Sequence, residues 1–116
     1  MSEFTVWHNP RCSKSRAALS LLERAGVKPN IVLYLETRPS ADSLTEVLLL
    51  LNCEPRELMR KGERAYEALG LAAPAKTRSE LIQAMVEHPI LIERPIVITQ
   101  GRAIVARPPE RVHELL

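Results

Sequence analysis

The chain is poor in aromatic residues, with one Phe, one Trp and two Tyr among 116 residues. So few flat rings leave little on which bases could stack, and the basic residues are spread among acidic ones, so no nucleic-acid partner is expected. Cysteine is also scarce. Cys12 and Cys53 are too few for a secreted disulfide scaffold, and too few for a thiolate zinc site without histidine. His8, His88 and His113 are scattered and make no ligand set with either cysteine, so no metal is expected. The apolar run Val47 to Leu51 falls far short of the roughly 20 residues a membrane span needs. Met1 to Thr5 carries Glu3 and runs straight into a strand-like segment, with no basic stretch followed by an apolar one, so no leader is expected. These absences point to a cytoplasmic protein in a reducing compartment, with no membrane attachment. The phosphate-binding patterns GxxxxGK[ST] and GxGxxG are absent, so no bound nucleotide is expected.

What is present is an ordinary globular composition, 46% hydrophobic and 26% charged, at a length that suits a single domain over residues 1–116. The net charge of +2 is too small to imply a polyanion partner. The basic set, however, is 12 Arg against 4 Lys. Arginine presents a planar fork of donors that grips an oxyanion at two points, which lysine cannot do.

Phe4 to Trp7 reads as a short strand, ended where Pro10 disfavours helix at the residue before it. From Ser13, apolar residues at helical spacing (Ala17, Ala18, Leu21, Leu22, Ala25) predict a helix that Gly26 closes. Ile31 to Leu35 reads as a second strand, making a right-handed parallel strand-helix-strand unit. Pro39 and Ser40 open a helix with Leu44, Val47, Leu48 and Leu51 on one stripe and Asn52 near its end. Glu54 to Gly70 and Ser79 to Glu87 read as further helices, the second capped by Ser79 and stopped at His88-Pro89. After Pro95, Ile96 to Thr99 and Ala103 to Ala106 form a hairpin about a Gln100-Gly101 turn, and Pro108-Pro109 starts a last short helix. The order predicts an α/β layer fold with a mixed sheet and a helical insertion between its βαβ and ββα parts.

In such sheets ligands bind beyond the carboxyl ends of strands, which directs attention to the loop His8 to Cys12. The segment His8-Asn9-Pro10-Arg11-Cys12-Ser13-Lys14-Ser15-Arg16 sets a cysteine at the start of a helix. There the unpaired backbone N–H groups and the helix dipole favour a thiolate, and Arg11, Lys14 and Arg16 flank the sulfur. The same N–H groups can cradle an oxyanion beside it. Cys12 and Ser15 make a CxxS pattern, so no disulfide can close within it. Whatever Cys12 forms must be resolved by an outside thiol, or by Cys53 if that lies near. Cys53 itself reads as structural or incidental. Ser15 can donate to the Cys12 thiolate or help to cap the helix.

The HNPRCSKSR segment, together with ELMRKGE around Arg60, ERPIV around Arg94 and ARPPE around Arg107, resembles the glutaredoxin-coupled arsenate reductase family, close to its chromosomal branch. The resemblance covers nearly the whole chain and implies a thioredoxin-like fold. It implies that Cys12 is the nucleophile and that His8, Asn9, Ser15 and Arg16 help to lower its pKa and order the loop. It further implies that Arg60, Arg94 and Arg107 hold the arsenic oxyanion, and that Pro95 is the cis proline facing the cysteine. The reaction implied is reduction of arsenate to arsenite through a Cys12–arsenic adduct. The resemblance also implies glutathione as co-substrate and glutaredoxin as the reductant of the resulting mixed disulfide. No bound cofactor is implied, and a monomer is expected. Two other readings stay open. A thiol-based regulator of the same superfamily would typically use a CxxC switch, which is absent. A glutathione-dependent thiol oxidoreductase would leave the three arginines without a purpose.

Overall fold

The computed structural model describes residues 3–116. They fall into two compact units, one made of the chain up to Thr37 with Arg94–Leu116, the other of Arg38–Glu93.

The first unit holds the sheet, with strands β1 (Phe4–Trp7), β2 (Asn30–Val32), β3 (Ile96–Thr99) and β4 (Arg102–Val105) in the order β2-β1-β3-β4. β1 pairs parallel with β2, with Trp7 opposite Val32, and antiparallel with β3, with Trp7 opposite Ile96. β3 and β4 form the antiparallel hairpin. Gln100 and Gly101 both have positive φ, +43° and +75°, as a two-residue turn matching the strand twist requires. The returning arm spans Arg102–Val105, one residue earlier than expected, because that turn seats Thr99 directly opposite Arg102.

Helix α1 (Ser13–Arg24) ends as its sequence predicts. Gly26, at φ +83°, donates to the Glu23 carbonyl while Val27 donates to that of Leu22, satisfying two carbonyls that a helix end leaves open. The core packs Ala18 and Leu22 of α1 with Val6, Val97, Ile104, Val112 and Leu115, all buried. A 3-10 helix over Pro109–Leu115 lies against α1 and β4. Truncating Leu22 to alanine in such a core costs about 2–5 kcal/mol.

The second expected strand is shorter than Ile31 to Leu35. It ends at Val32, and Tyr34–Thr37 makes a one-turn helix, α2. The Glu36 and Thr37 N–H groups both return to the Leu33 carbonyl, which sends the Tyr34 ring inward against Trp7, centroids 6.5 Å apart. A short apolar run fits a strand or a buried helical turn equally well, and packing decides here.

The second unit is the helical insertion. α3 (Ala41–Leu51) is capped by Ser40, whose hydroxyl accepts from the Ser43 N–H, and closes on Asn52 in the left-handed region. Leu44, Val47 and Leu48 of the expected stripe are buried, and Leu51 is partly so. The helix expected over Glu54 to Gly70 is broken. A 3-10 turn spans Pro55–Leu58, Met59 is extended, and α4 covers only Arg64–Ala68. The break has a partner: the Arg60 N–H donates to the Leu91 carbonyl at 2.7 Å and the Glu93 N–H to that of Leu58 at 2.8 Å. α5 (Arg78–Glu87) packs with α3 and starts one residue before the expected cap. Thr77 is the cap, in a reciprocal pair with Glu80 that satisfies two N–H groups, so Ser79 lies inside the helix. Among the described residues no helix is long and apolar enough to cross a membrane.

Candidate active site

The sheet register assembles the site. Trp7 sits opposite Ile96, and Ile96 opposite Val105, so the chain leaving β1 emerges beside the residues just before β3 and just after β4. Those residues are Arg94-Pro95 and Ala106-Arg107. The Ala106 N–H donates to the Pro95 carbonyl at 2.9 Å, and Arg107 Nη1 reaches the Arg94 carbonyl at 3.4 Å. The Arg94–Pro95 and Arg107–Pro108 peptide bonds are both cis.

The loop from β1 to α1 is held by its own side chains. The His8 N–H extends the parallel pairing by donating to the Val32 carbonyl. Asn9 Oδ1 accepts from the Arg11 N–H at 3.0 Å, while its carbonyl accepts from the Cys12 N–H at 3.0 Å. Pro10 occupies the turn position its fixed φ suits. The Ser15 hydroxyl, fully buried, lies 2.7 Å from His8 Nδ1 and accepts from the Asn9 N–H at 3.1 Å. Arg16 Nη1 donates to the Pro10 carbonyl at 2.8 Å. His8, Asn9, Ser15 and Arg16 are thus brought together as a clamp on the loop.

Cys12 is the residue preceding α1 and is nearly buried. Burial pushes its thiol pKa up, but the Ser15 N–H, the Arg94 guanidinium and the Lys14 N–H together pull it below the ordinary value. The sulfur makes no capping hydrogen bond of strict geometry, so these N–H groups act on it as oriented dipoles. The cation responsible differs from the neighbours in sequence. Arg94 lies against the thiol, whereas Arg16 is committed to Pro10, Lys14 contributes only its backbone, and the Arg11 side chain is exposed. Ser15 likewise acts on the sulfur through its N–H, because its hydroxyl is engaged by His8 and Asn9. Burial, reinforced by the Arg16 charge, holds His8 below the ordinary histidine value and favours a neutral ring.

One donor is left over. Arg94 Nε is buried and, among the described residues, has no hydrogen-bond partner. A buried unpaired donor is costly, and an acceptor arriving beside the thiol relieves it. The loop therefore offers a nucleophile favoured as thiolate, N–H groups at a helix start and a guanidinium with spare capacity, which suits attack on a tetrahedral oxyanion.

The sequence profile described as the ArsC family matches residues 7–115, a stretch that includes this loop and all three marked arginines. The chain belongs to the ArsC family. Arsenate reductase from Neisseria meningitidis is 44% identical over 117 residues, covering all of both chains. The uncharacterized protein YfgD of Escherichia coli strain K12 is 50% identical over 112 residues, 96% of this chain and 94% of that protein. The solved structure of arsenate reductase from Vibrio cholerae superposes with a TM-score of 0.95 at 46% identity, over 97% of each chain. The fold is the thioredoxin-like ArsC fold, with its mixed four-stranded sheet and added helices.

In this ArsC chain Arg60 belongs to the second unit, where it bridges two carboxylates, Nη1 to Glu63 at 3.3 Å and Nε to Glu93 at 3.5 Å. Sequence reasoning missed both partners. Glu63, three residues on, was the available signal; Glu93 becomes visible only through the pairing of residues 58–60 with 91–93. Arg56 was missed too: it ties a loop together by donating to the carbonyls of Leu71 at 3.0 Å and Ala73 at 2.6 Å. Cys53 also lies in the second unit, as a free thiol. Burial and the Glu57 and Glu54 charges push its pKa up, with Arg78 opposing, so it is a poor nucleophile at neutral pH. Among the described residues no group of three or more His, Cys, Asp or Glu is placed to hold a metal ion.

Proposed function

We propose that this chain acts as one thioredoxin-like reductase domain, a cytoplasmic monomer that reduces arsenate to arsenite with glutathione and glutaredoxin as electron donors. The observation that carries the reading is Arg94, whose guanidinium favours the Cys12 thiolate while its Nε is buried without an acceptor among the described residues. The Cys12 thiolate attacks arsenic, an S–As bond forms as an As–O bond breaks, and that oxygen leaves as hydroxide, or as water on taking a proton from solvent. Arg94 and Arg107 balance the charge of the bound oxyanion, aided by N–H groups at the start of α1. The Arg60 assignment to that oxyanion rests on the family resemblance. The glutathione thiol then attacks the Cys12 sulfur and the S–As electron pair passes to arsenic. As(V) becomes As(III), released as arsenite, and a Cys12–glutathione disulfide remains. Glutaredoxin supplies the thiol that reduces this disulfide and restores Cys12. An outside thiol is needed because Ser15 occupies the position where a CxxC pair would hold its second sulfur.

The test combines the protein with arsenate, glutathione, glutaredoxin, glutathione reductase and NADPH, following NADPH oxidation. Wild type turns over while Cys12→Ser stays at background. Equal rates for the two would overturn the proposal. Omitting glutaredoxin isolates the donor: undiminished steady-state turnover without it would remove glutaredoxin from the cycle.

A further inference from the structure

A pocket of about 300 Å³ opens on the first unit, between the residues before Cys12 (His8, Asn9, Pro10, Arg11) and those after β2 (Leu33, Leu35, Glu36). Its volume lies at the small end of ligand sites, where about 300–1,000 Å³ is usual. Leu33 and Leu35 give it an apolar wall, and Arg11 and Glu36 give it one cation and one anion. The Arg11 N–H donates to Asn9 and the Glu36 N–H to Leu33, but the guanidinium and the carboxylate take part in none of the ion pairs among the described residues. The Cys12 N–H bonds to the Asn9 carbonyl, so the pocket rim and the thiol share one turn of chain.

A ligand matched to these features carries a carboxylate and an ammonium close together on a short aliphatic stem, and has a sulfur that can reach Cys12. We infer that the pocket binds the γ-glutamyl end of glutathione, with Arg11 taking its α-carboxylate, Glu36 its α-ammonium and the leucines its methylenes. The inference deepens the proposed function and rests on it for the choice of thiol donor. It makes Arg11 and Glu36 determinants of which thiol is accepted, separate from the groups that activate Cys12.

The test leaves arsenate out. Cys12 is reacted with glutathione disulfide, its thiolate attacking one sulfur to form Cys12–S–S–G while glutathione thiolate departs. The rate is compared with that for uncharged hydroxyethyl disulfide, peptide mapping assigning each adduct to Cys12. The expected result is a fall in the ratio of the two rates by about tenfold in Arg11→Ala and in Glu36→Gln, the loss of one charge-assisted contact in each. Glu36→Gln is decisive because the signs separate. Removing a negative charge speeds a doubly anionic reagent through simple steering, but slows it if Glu36 grips the ammonium. An unchanged or raised ratio in Glu36→Gln would overturn the inference. With cysteinylglycine disulfide, which lacks the γ-glutamyl group, Glu36→Gln should behave as wild type, and an equal fall there would also overturn it. Absence of arsenate turnover alongside the expected ratios would count against the reductase reading alone.

Discussion

His8 Nδ1 stands 2.7 Å from the Ser15 hydroxyl, and both side chains are buried. This pair joins the end of β1 to the first turn of α1 across the cysteine loop, and the same hydroxyl accepts from the Asn9 N–H. Ser15→Ala removes the oxygen and leaves a buried imidazole nitrogen and a backbone N–H without partners. The expected cost is about 1–3 kcal/mol, read as a lower urea midpoint at neutral pH. A midpoint equal to wild type would show that the hydroxyl does not hold the loop.

The His8 environment gives stability a pH dependence whose sign follows from linkage. Burial first, and then the Arg16 charge, lower the folded-state pKa below the ordinary 6.5, so the unfolded chain binds more protons as pH falls past that value. The His8 contribution to stability is complete above 6.5 and is lost as pH falls below it toward the folded-state value. Comparing urea midpoints at about pH 8 and about pH 5.5, wild type should lose more stability than His8→Asn, which keeps a polar group near Ser15 without titrating. His88 and His113 are exposed and common to both proteins, so they cancel. Equal losses would remove His8 as the source.

Much of this architecture was legible because its signals are local. Pro10 ending β1, Gly26 closing α1, Ser40 capping α3 and Gln100-Gly101 turning the hairpin each act within a few residues. The cysteine at the start of α1 was legible for the same reason, whereas the roles of His8, Asn9 and Arg16 in ordering its loop came from the family resemblance. What could not be read was set by partners remote in sequence. The helix over Glu54 to Gly70 breaks because residues 58–60 pair with 91–93, and Leu33 to Leu35 turns because Tyr34 packs on Trp7. Arg94 reaches Cys12 only through the pairing of β1 with β3, which periodicity does not reveal.

The cap of α5 is a different kind of miss, since Thr77-Arg78-Ser79-Glu80 carries the capping-box pattern in plain view. Thr77→Ala removes the oxygen that accepts from the Glu80 N–H at 3.2 Å, and should lower stability by about 1 kcal/mol. Ser79→Ala, inside the first turn, should stay within about 0.5 kcal/mol of wild type. Urea midpoints of the two variants decide between the assignments, and a larger loss in Ser79→Ala would return the cap to Ser79.

The relation of Arg94 to Cys12 makes the sharpest demand on the site. Burial raises the thiol pKa, and the net lowering depends on the Ser15 N–H, Arg94 and the Lys14 N–H acting against it. Arg94→Ala leaves burial and the two backbone dipoles in place and removes the cation, so the thiolate fraction near pH 7 must fall. Alkylation of Cys12 by neutral iodoacetamide, followed against pH, should show its midpoint displaced upward in Arg94→Ala. In Lys14→Ala, which keeps the backbone N–H, the midpoint should match wild type. The contrast separates a specific cation from the general basicity of the loop, because both variants lose one positive charge. A Lys14→Ala displacement as large as that of Arg94→Ala would mean that the charge density of HNPRCSKSR activates the sulfur, and that Arg94 has no special hold on it.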